Sequence, residues 1–132
     1  MSNNTQHPHW PADTLALLGT ADQIDISSRR ADDTLRPFVP IWIVATDTGV
    51  YVRSYRGTGG AWYQHITGGD ATGVIDVAGR RLEVVFTPAD PGHRADIDTA
   101  YRTKYARYDT SYLPPMLAEQ AAATTLRIDP RQ

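Results

Sequence analysis

A chain of 132 residues, 41% hydrophobic and 21% charged, fits one soluble globular domain and leaves little for a second. A formal net charge of −2 with no basic block argues against nucleic acid as the main partner, and the longest apolar run is far too short to span a bilayer. With no cysteine there is no disulfide frame, no thiolate nucleophile and no thiolate metal site.

Residues 1–9 are polar and lack the basic start and apolar centre of a secretion signal. They read as a tail before a domain over 10–130, with the cytoplasm as the default location. Trp10-Pro11-Ala12-Asp13 opens a short helix, Pro suiting the first turn and Asp13 its positive end, and Gly19 or Thr20 stops it. Ile24 and Ile26 alternate in a strand over 23–28, and the charged segment 29–36 reads as a loop. Segment 40–46, PIWIVAT, is apolar on both faces and predicts one central strand covered on both sides. Asp47-Thr48-Gly49 signals a hairpin into a strand over 50–55, where Tyr51, Arg53 and Tyr55 share a face.

After a glycine turn at 57–60, a short helix over 61–66 ends at Gly68-Gly69. A second hairpin, 71–77 with 80–87, turns at Ala78-Gly79 and points Leu82, Val84 and Phe86 at the core. The strongest helical pattern runs over 94–108, with Ile97, Tyr101, Tyr105 and Tyr108 on one side and Asp98 set to pair with Arg102. Pro114-Pro115 breaks the chain, 116–123 reads as a short helix and 124–128 as the last strand. Five or six strands with segregated helices mean an α+β fold, and a small split β-barrel of about six strands hides the sheet edges.

The densest chemistry lies in VYVRSYRGTGGAWY, residues 50–63. Arg53 at a strand end and Arg56 on the glycine loop read as an anion clamp, with the flexible glycines letting a ligand approach backbone, or else as a surface strand with an ordinary turn. Trp62 reads as a core anchor or a pocket wall, and Tyr63 as a wall. His65 reads as an acid–base candidate, because its charge changes near neutral pH, or as a plain surface histidine on its helix. In the helix, Tyr101 or Tyr105 offers a hydroxyl donor, with Arg102 or Lys104 as an oxyanion partner. The alternative there is a packed tyrosine stripe beside solvated charges. Lys104 is the sole lysine against twelve arginines. No metal site is expected, since the four histidines lack ligand spacing, and two glutamates leave no paired-glutamate site.

The runs PIWIVATDTGVYVRSYRGTGGAWYQHI, AYRTKYARY and TTLRIDP resemble a family of small bacterial domains of unknown function. That family is related to split β-barrel flavin-binding proteins, including pyridoxamine-phosphate-oxidase-like proteins and deazaflavin-dependent nitroreductases. The resemblance implies a homodimer, and FMN or a deazaflavin coenzyme as cofactor, held by Arg53, Ser54, Arg56, Gly57 and the Trp62-Tyr63 pair. Arg36 before Pro40 matches an arginine that precedes a strand-start proline in those relatives. One departure is plain: where the relatives hold phosphate on a basic loop, this chain reads Arg29-Arg30-Ala31-Asp32-Asp33-Thr34, whose aspartates repel phosphate. Three functions are therefore expected in turn. They are a flavin- or deazaflavin-binding oxidoreductase, a cofactor-free cyclase or isomerase of secondary metabolism with Arg53, His65, Tyr105 or Lys104 at work, and a non-catalytic ligand-binding module. In each, Arg53→Ala is expected to weaken binding and leave folding intact.

Overall fold

The computed structural model describes residues 10–108 and 111–131, so the expected tail lies outside the described residues. Among these residues seven strands form one antiparallel sheet in the order β2-β1-β5-β6-β7-β4-β3. The strands are β1 Ile24–Ser28, β2 Val39–Ile41, β3 Val44–Thr46, β4 Gly49–Val52, β5 Thr72–Val77, β6 Arg80–Pro88 and β7 Leu126–Pro130. The helices are α1 Ala12–Thr20, α2 Ala61–Thr67, α3 Arg94–Lys104, α4 Leu113–Leu117 and α5 Glu119–Ala122. No helix among the described residues is long and apolar enough to cross a membrane.

The segment 40–46 does not form the single central strand expected of it. It splits into β2 and β3, which occupy opposite edges of the sheet. Three Cα steps separate Ile41 from Val44, a reach of at most about 11 Å. Two edges that close together require the sheet to curl round on itself, which makes it a split barrel. Pro40 gives one reason for the division: it has no N–H to donate, so it belongs on an edge, where it faces only Asp25.

Two apolar clusters hold the two faces. Val50, Val52, Ile75, Val84, Phe86 and Ile128 belong to the larger one, with α1 contributing Leu18 and α2 contributing Ile66. Each such side chain contributes on the order of 1.5–3 kcal/mol when fully buried. The opposite face of β3 and β4 presents Val44 and Tyr51 to Ile97, Tyr101 and Tyr105 from the α3 segment and to Leu113 and Met116 of α4. The alternation predicted for 50–53 is therefore real, and it places Arg53 on the face covered by α3.

Turn chemistry explains several boundaries. Ala78 and Gly79 both have positive φ, 51° and 81°, as a two-residue hairpin turn matched to strand twist requires. Gly73 is pressed against β1, where a Cβ would fall 2.3 Å from the Ser27 carbonyl oxygen. The two prolines at 114 and 115 begin α4 rather than breaking the chain, since the first helical turn needs no N–H from them. The helix over 94–108 stops at Lys104 and passes into a 3-10 turn, Ala106–Tyr108.

Candidate functional site

A cavity of about 500 Å³ opens where the sheet edge meets the glycine turn. Pro40, Ile41 and Trp42 form one wall. The chain leaving β4, from Arg53 to Arg56, forms its inner side together with Gly60, Ala61 and Trp62 at the start of α2. Tyr108, Tyr112 and Met116 close the third side. The volume lies within the range of small-ligand sites, and the walls are largely aromatic and aliphatic.

Trp42 is a fixed wall because Tyr105 stacks on it, with ring centroids 3.9 Å apart and planes within 2°. Tyr108 leans on the same indole at 5.3 Å. Trp62 meets Tyr63 edge-on at 6.2 Å, and Tyr63 packs toward the larger core rather than the cavity. Tyr55 and Tyr112 are half exposed at the cavity.

Arg53 is 1% exposed, so its charge is buried. Its Nε donates to Thr125 Oγ1 and its Nη1 to the Met116 carbonyl, both at 2.9 Å. Nη1 also lies 2.7 Å from Asp98 Oδ1, as a close ion pair rather than an aligned hydrogen bond. The guanidinium sits 5.1 Å from the Tyr101 ring centroid. Burial pushes the Tyr101 phenol above its ordinary range. Asp98, expected to pair with Arg102 on its own helix, instead spans from α3 to Arg53 and also to Arg94, 3.6 Å away. Arg53 Nη2 and Ser54 Oγ are buried without a hydrogen-bond partner, and a Cβ on Gly60 would fall 2.2 Å from the Ser54 hydroxyl, so that hydroxyl is packed against the glycine.

Of the residues singled out from sequence, Arg53, Ser54, Arg56 and Trp62 come together on the cavity. Arg56 is exposed there, while Gly57 turns away, its Cα facing Gln120 of α5, where a Cβ would lie 3.2 Å from the carbonyl oxygen. Arg36 lies elsewhere and is spent on Ser28 Oγ at 3.2 Å and the Arg29 carbonyl at 2.7 Å. His65 is exposed in the last turn of α2 and does not line the cavity.

Lys104 and Tyr105 hold the break between β2 and β3. The Tyr105 hydroxyl donates to the Asp22 carbonyl at 2.6 Å and accepts the Ile43 N–H at 3.1 Å. Lys104 Nζ donates to the Ile43 carbonyl at 2.7 Å. Burial lowers the Lys104 ammonium to about 8 and raises the Tyr105 phenol to about 12. Both polar groups are turned to backbone, which is what a residue lost from a β-ladder needs.

The loop at 29–34 lies away from the cavity. Asp32 accepts from the Thr34 N–H at 3.1 Å and from its hydroxyl at 2.6 Å, closing the turn on itself. Trp42, Tyr108, Tyr112 and Met116 were not foreseen as site residues. Trp42 sat inside an apolar run, and the others reach the cavity only through tertiary folding.

Solved structures similar to this chain share the fold. A heme storage protein from Vibrio cholerae, HutZ, matches with a TM-score of 0.60 at 9% identity over 85% of this chain and 83% of its own. A FAD-binding protein from Mesorhizobium loti matches at 0.53, with 16% identity over 93% and 91% of the two chains. An F420 reductase matches at 0.54, with 18% identity over 93% and 97%. At such identities the likeness establishes the split-barrel fold and nothing finer. No curated protein matches in sequence. Residues 14–128 match the model of DUF2255, described as an uncharacterized protein conserved in bacteria, and the chain belongs to that family.

Proposed function

We propose that the cavity binds the planar ring system of a flavin or deazaflavin, and that the protein serves a small-molecule oxidoreductase reaction. The observation that carries this is the wall chemistry: two indoles, Trp42 and Trp62, together with a buried arginine, bound a space of about 500 Å³. Fixed aromatic faces suit a flat conjugated ring. Split-barrel proteins described as FAD-binding and as an F420 reductase support the reading by fold.

Such a cofactor supplies hydride chemistry of its own. The chain's part is to orient the ring between Trp42 and Trp62, to keep water from it, and to meet any phosphate tail with Arg56. Arg56 makes no ion pair among the described residues, whereas Arg36 and the loop at 29–34 are otherwise engaged. A homodimer belongs to the same reading, with exposed Tyr55 and Tyr112 available to a second copy, and sedimentation equilibrium decides it.

The cofactor-free enzyme is the weaker reading, because no histidine, carboxylate or lysine among the described residues lines the cavity to move protons near neutral pH. Titration with FMN and with a deazaflavin, followed by visible absorbance and fluorescence, tests the proposal. Saturable binding in the micromolar range is expected. No binding of either at tens of micromolar would sink it.

A further inference from the structure

We infer that Gln23 is a specificity-determining residue of the cavity: its side-chain amide pairs with an uncharged ring edge that carries an N–H beside a carbonyl, on the side of the cavity away from Arg56. The inference rests on the ring-binding reading and specifies which edge of the ring is read and which way round the ligand lies.

Few polar side chains can reach a molecule in this cavity. Arg53 and Ser54 are each 1% exposed, so their polar atoms are held within the protein. The exposed polar residues that line it are Gln23, Arg56 and the phenols Tyr55 and Tyr112. Arg56 only donates, and each phenol offers a single oxygen. Gln23 alone among them presents a donor and an acceptor on separate atoms. That pair matches a ring edge bearing both, as a carboxamide matches the edge of adenine. The Gln23 amide makes no hydrogen bond among the described residues and is left to solvent. A ring laid against it strips that water, and only an edge with both groups restores the two hydrogen bonds.

The fold holds Gln23 in position. Ile24, the next residue, is buried and paired with Ile41 of β2. The carbonyl of Asp22, the residue before, accepts from the Tyr105 hydroxyl at 2.6 Å. Continuing the register by one residue sets Gln23 level with Trp42, the fixed wall of the cavity. The Asp22 carboxylate has its own counter-charge in Arg107, 2.8 Å away.

Arg56 enters from the other side. It follows β4, which neighbours the edge strand β3, whereas Gln23 precedes β1, which neighbours the edge strand β2. A neutral amide and a guanidinium without an ion pair thus reach the cavity from opposite edges of the sheet, and no carboxylate among the described residues lines it. A ligand with an amide-like ring edge and one anionic tail answers both, the edge at Gln23 and the tail at Arg56.

Fluorescence titrations on two variants test this. Gln23→Leu keeps the bulk of the side chain and loses the amide, and at an exposed position it spares folding. Lumiflavin and its derivative methylated on the imide nitrogen offer the same ring with and without the N–H. The parent is expected to bind lumiflavin about tenfold more tightly than the derivative, and Gln23→Leu to reduce that preference to about twofold or less. FMN adds a phosphate to the same ring. Its advantage over lumiflavin is expected to fall about threefold in Arg56→Ala and to persist in Gln23→Leu. If the parent shows no preference for lumiflavin, or Gln23→Leu keeps it, Gln23 does not read the imide edge. If FMN binds no better than lumiflavin, or loses its advantage in Gln23→Leu rather than in Arg56→Ala, the orientation is wrong. Each of these overturns the inference and leaves ring binding standing. If neither lumiflavin nor its derivative binds, the inference and the ring-binding reading fall together.

Discussion

The Tyr105 hydroxyl accepts the backbone N–H of Ile43 at 3.1 Å, at the point where the chain passes from β2 on one edge of the sheet to β3 on the other. Ile43 is fully buried, so its amide has no water to turn to. Tyr105→Phe is accordingly expected to lower stability by about 1–3 kcal/mol, the cost of a stranded buried donor. Urea denaturation measures it. A variant as stable as the parent would mean that the phenol is free for another task, such as the catalytic one expected from sequence.

The same corner sets an alkaline signature with two limbs. Lys104 has its pKa lowered to about 8 by burial, below the usual 10.5, so between these values the unfolded chain binds a proton that the native chain has released. Stability therefore rises with pH over that window. Tyr105 is raised from 10.0 to about 12, so above roughly pH 10 the native chain keeps a proton the unfolded chain loses, and stability falls. Denaturation midpoints across the alkaline range should pass through a maximum near pH 10. Lys104→Met should remove the rising limb and spare the falling one.

Arg53 is a member of the fold as well as of the cavity, and this alters what its removal does. Arg53→Ala would leave Asp98, at 15% side-chain exposure, facing a buried hole without its nearer counter-charge, with only Arg94 at 3.6 Å remaining. A loss of about 3–5 kcal/mol is expected, in place of the intact folding that a surface strand end would allow. A double-mutant cycle with Asp98→Asn, read by chemical denaturation, should show strong coupling, the second substitution costing far less in the Arg53 variant than in the parent. Additive losses would show that the two groups do not compensate each other.

Much of this fold was legible because it rests on local signals. The Ala78-Gly79 turn, the alternation through Val50, Tyr51 and Val52, and the Ile97-Tyr101-Tyr105 stripe each follow from spacing of two, or of three to four, residues. The division at Trp42-Ile43 did not show, since PIWIVAT has the same apolar pattern whether it forms one strand or two. What divides it is supplied from 62 positions away by Tyr105. Asp98 misled for a similar reason: Arg102 is its neighbour by helical spacing, but burial of Arg53 creates the stronger demand for a carboxylate. At the site, Arg53, Ser54, Arg56 and Trp62 were readable as one run, whereas the wall formed by Tyr108, Tyr112 and Met116 exists only once α3 and α4 have packed.

Trp62, in the first turn of α2, should separate cleanly from His65 in the last turn of the same helix. Trp62→Ala is expected to weaken flavin binding about three- to tenfold through loss of a ring contact. His65→Ala, exposed on α2 and outside the cavity, should leave affinity and its pH dependence as they were. Fluorescence titration of both variants against FMN makes the comparison, and a His65 effect as large as that of Trp62 would move the site.

The most direct measurement of ring binding uses the three tryptophans as separate reporters in a two-dimensional proton–nitrogen spectrum. Trp42 and Trp62 line the cavity, while the Trp10 indole N–H is tied to the Ile128 carbonyl at 3.1 Å away from it. On titration with FMN, the indole signals of Trp42 and Trp62 are predicted to shift together along one saturating curve while that of Trp10 stays in place. Three unmoved signals at saturating cofactor, or movement of Trp10 alone, would contradict the account.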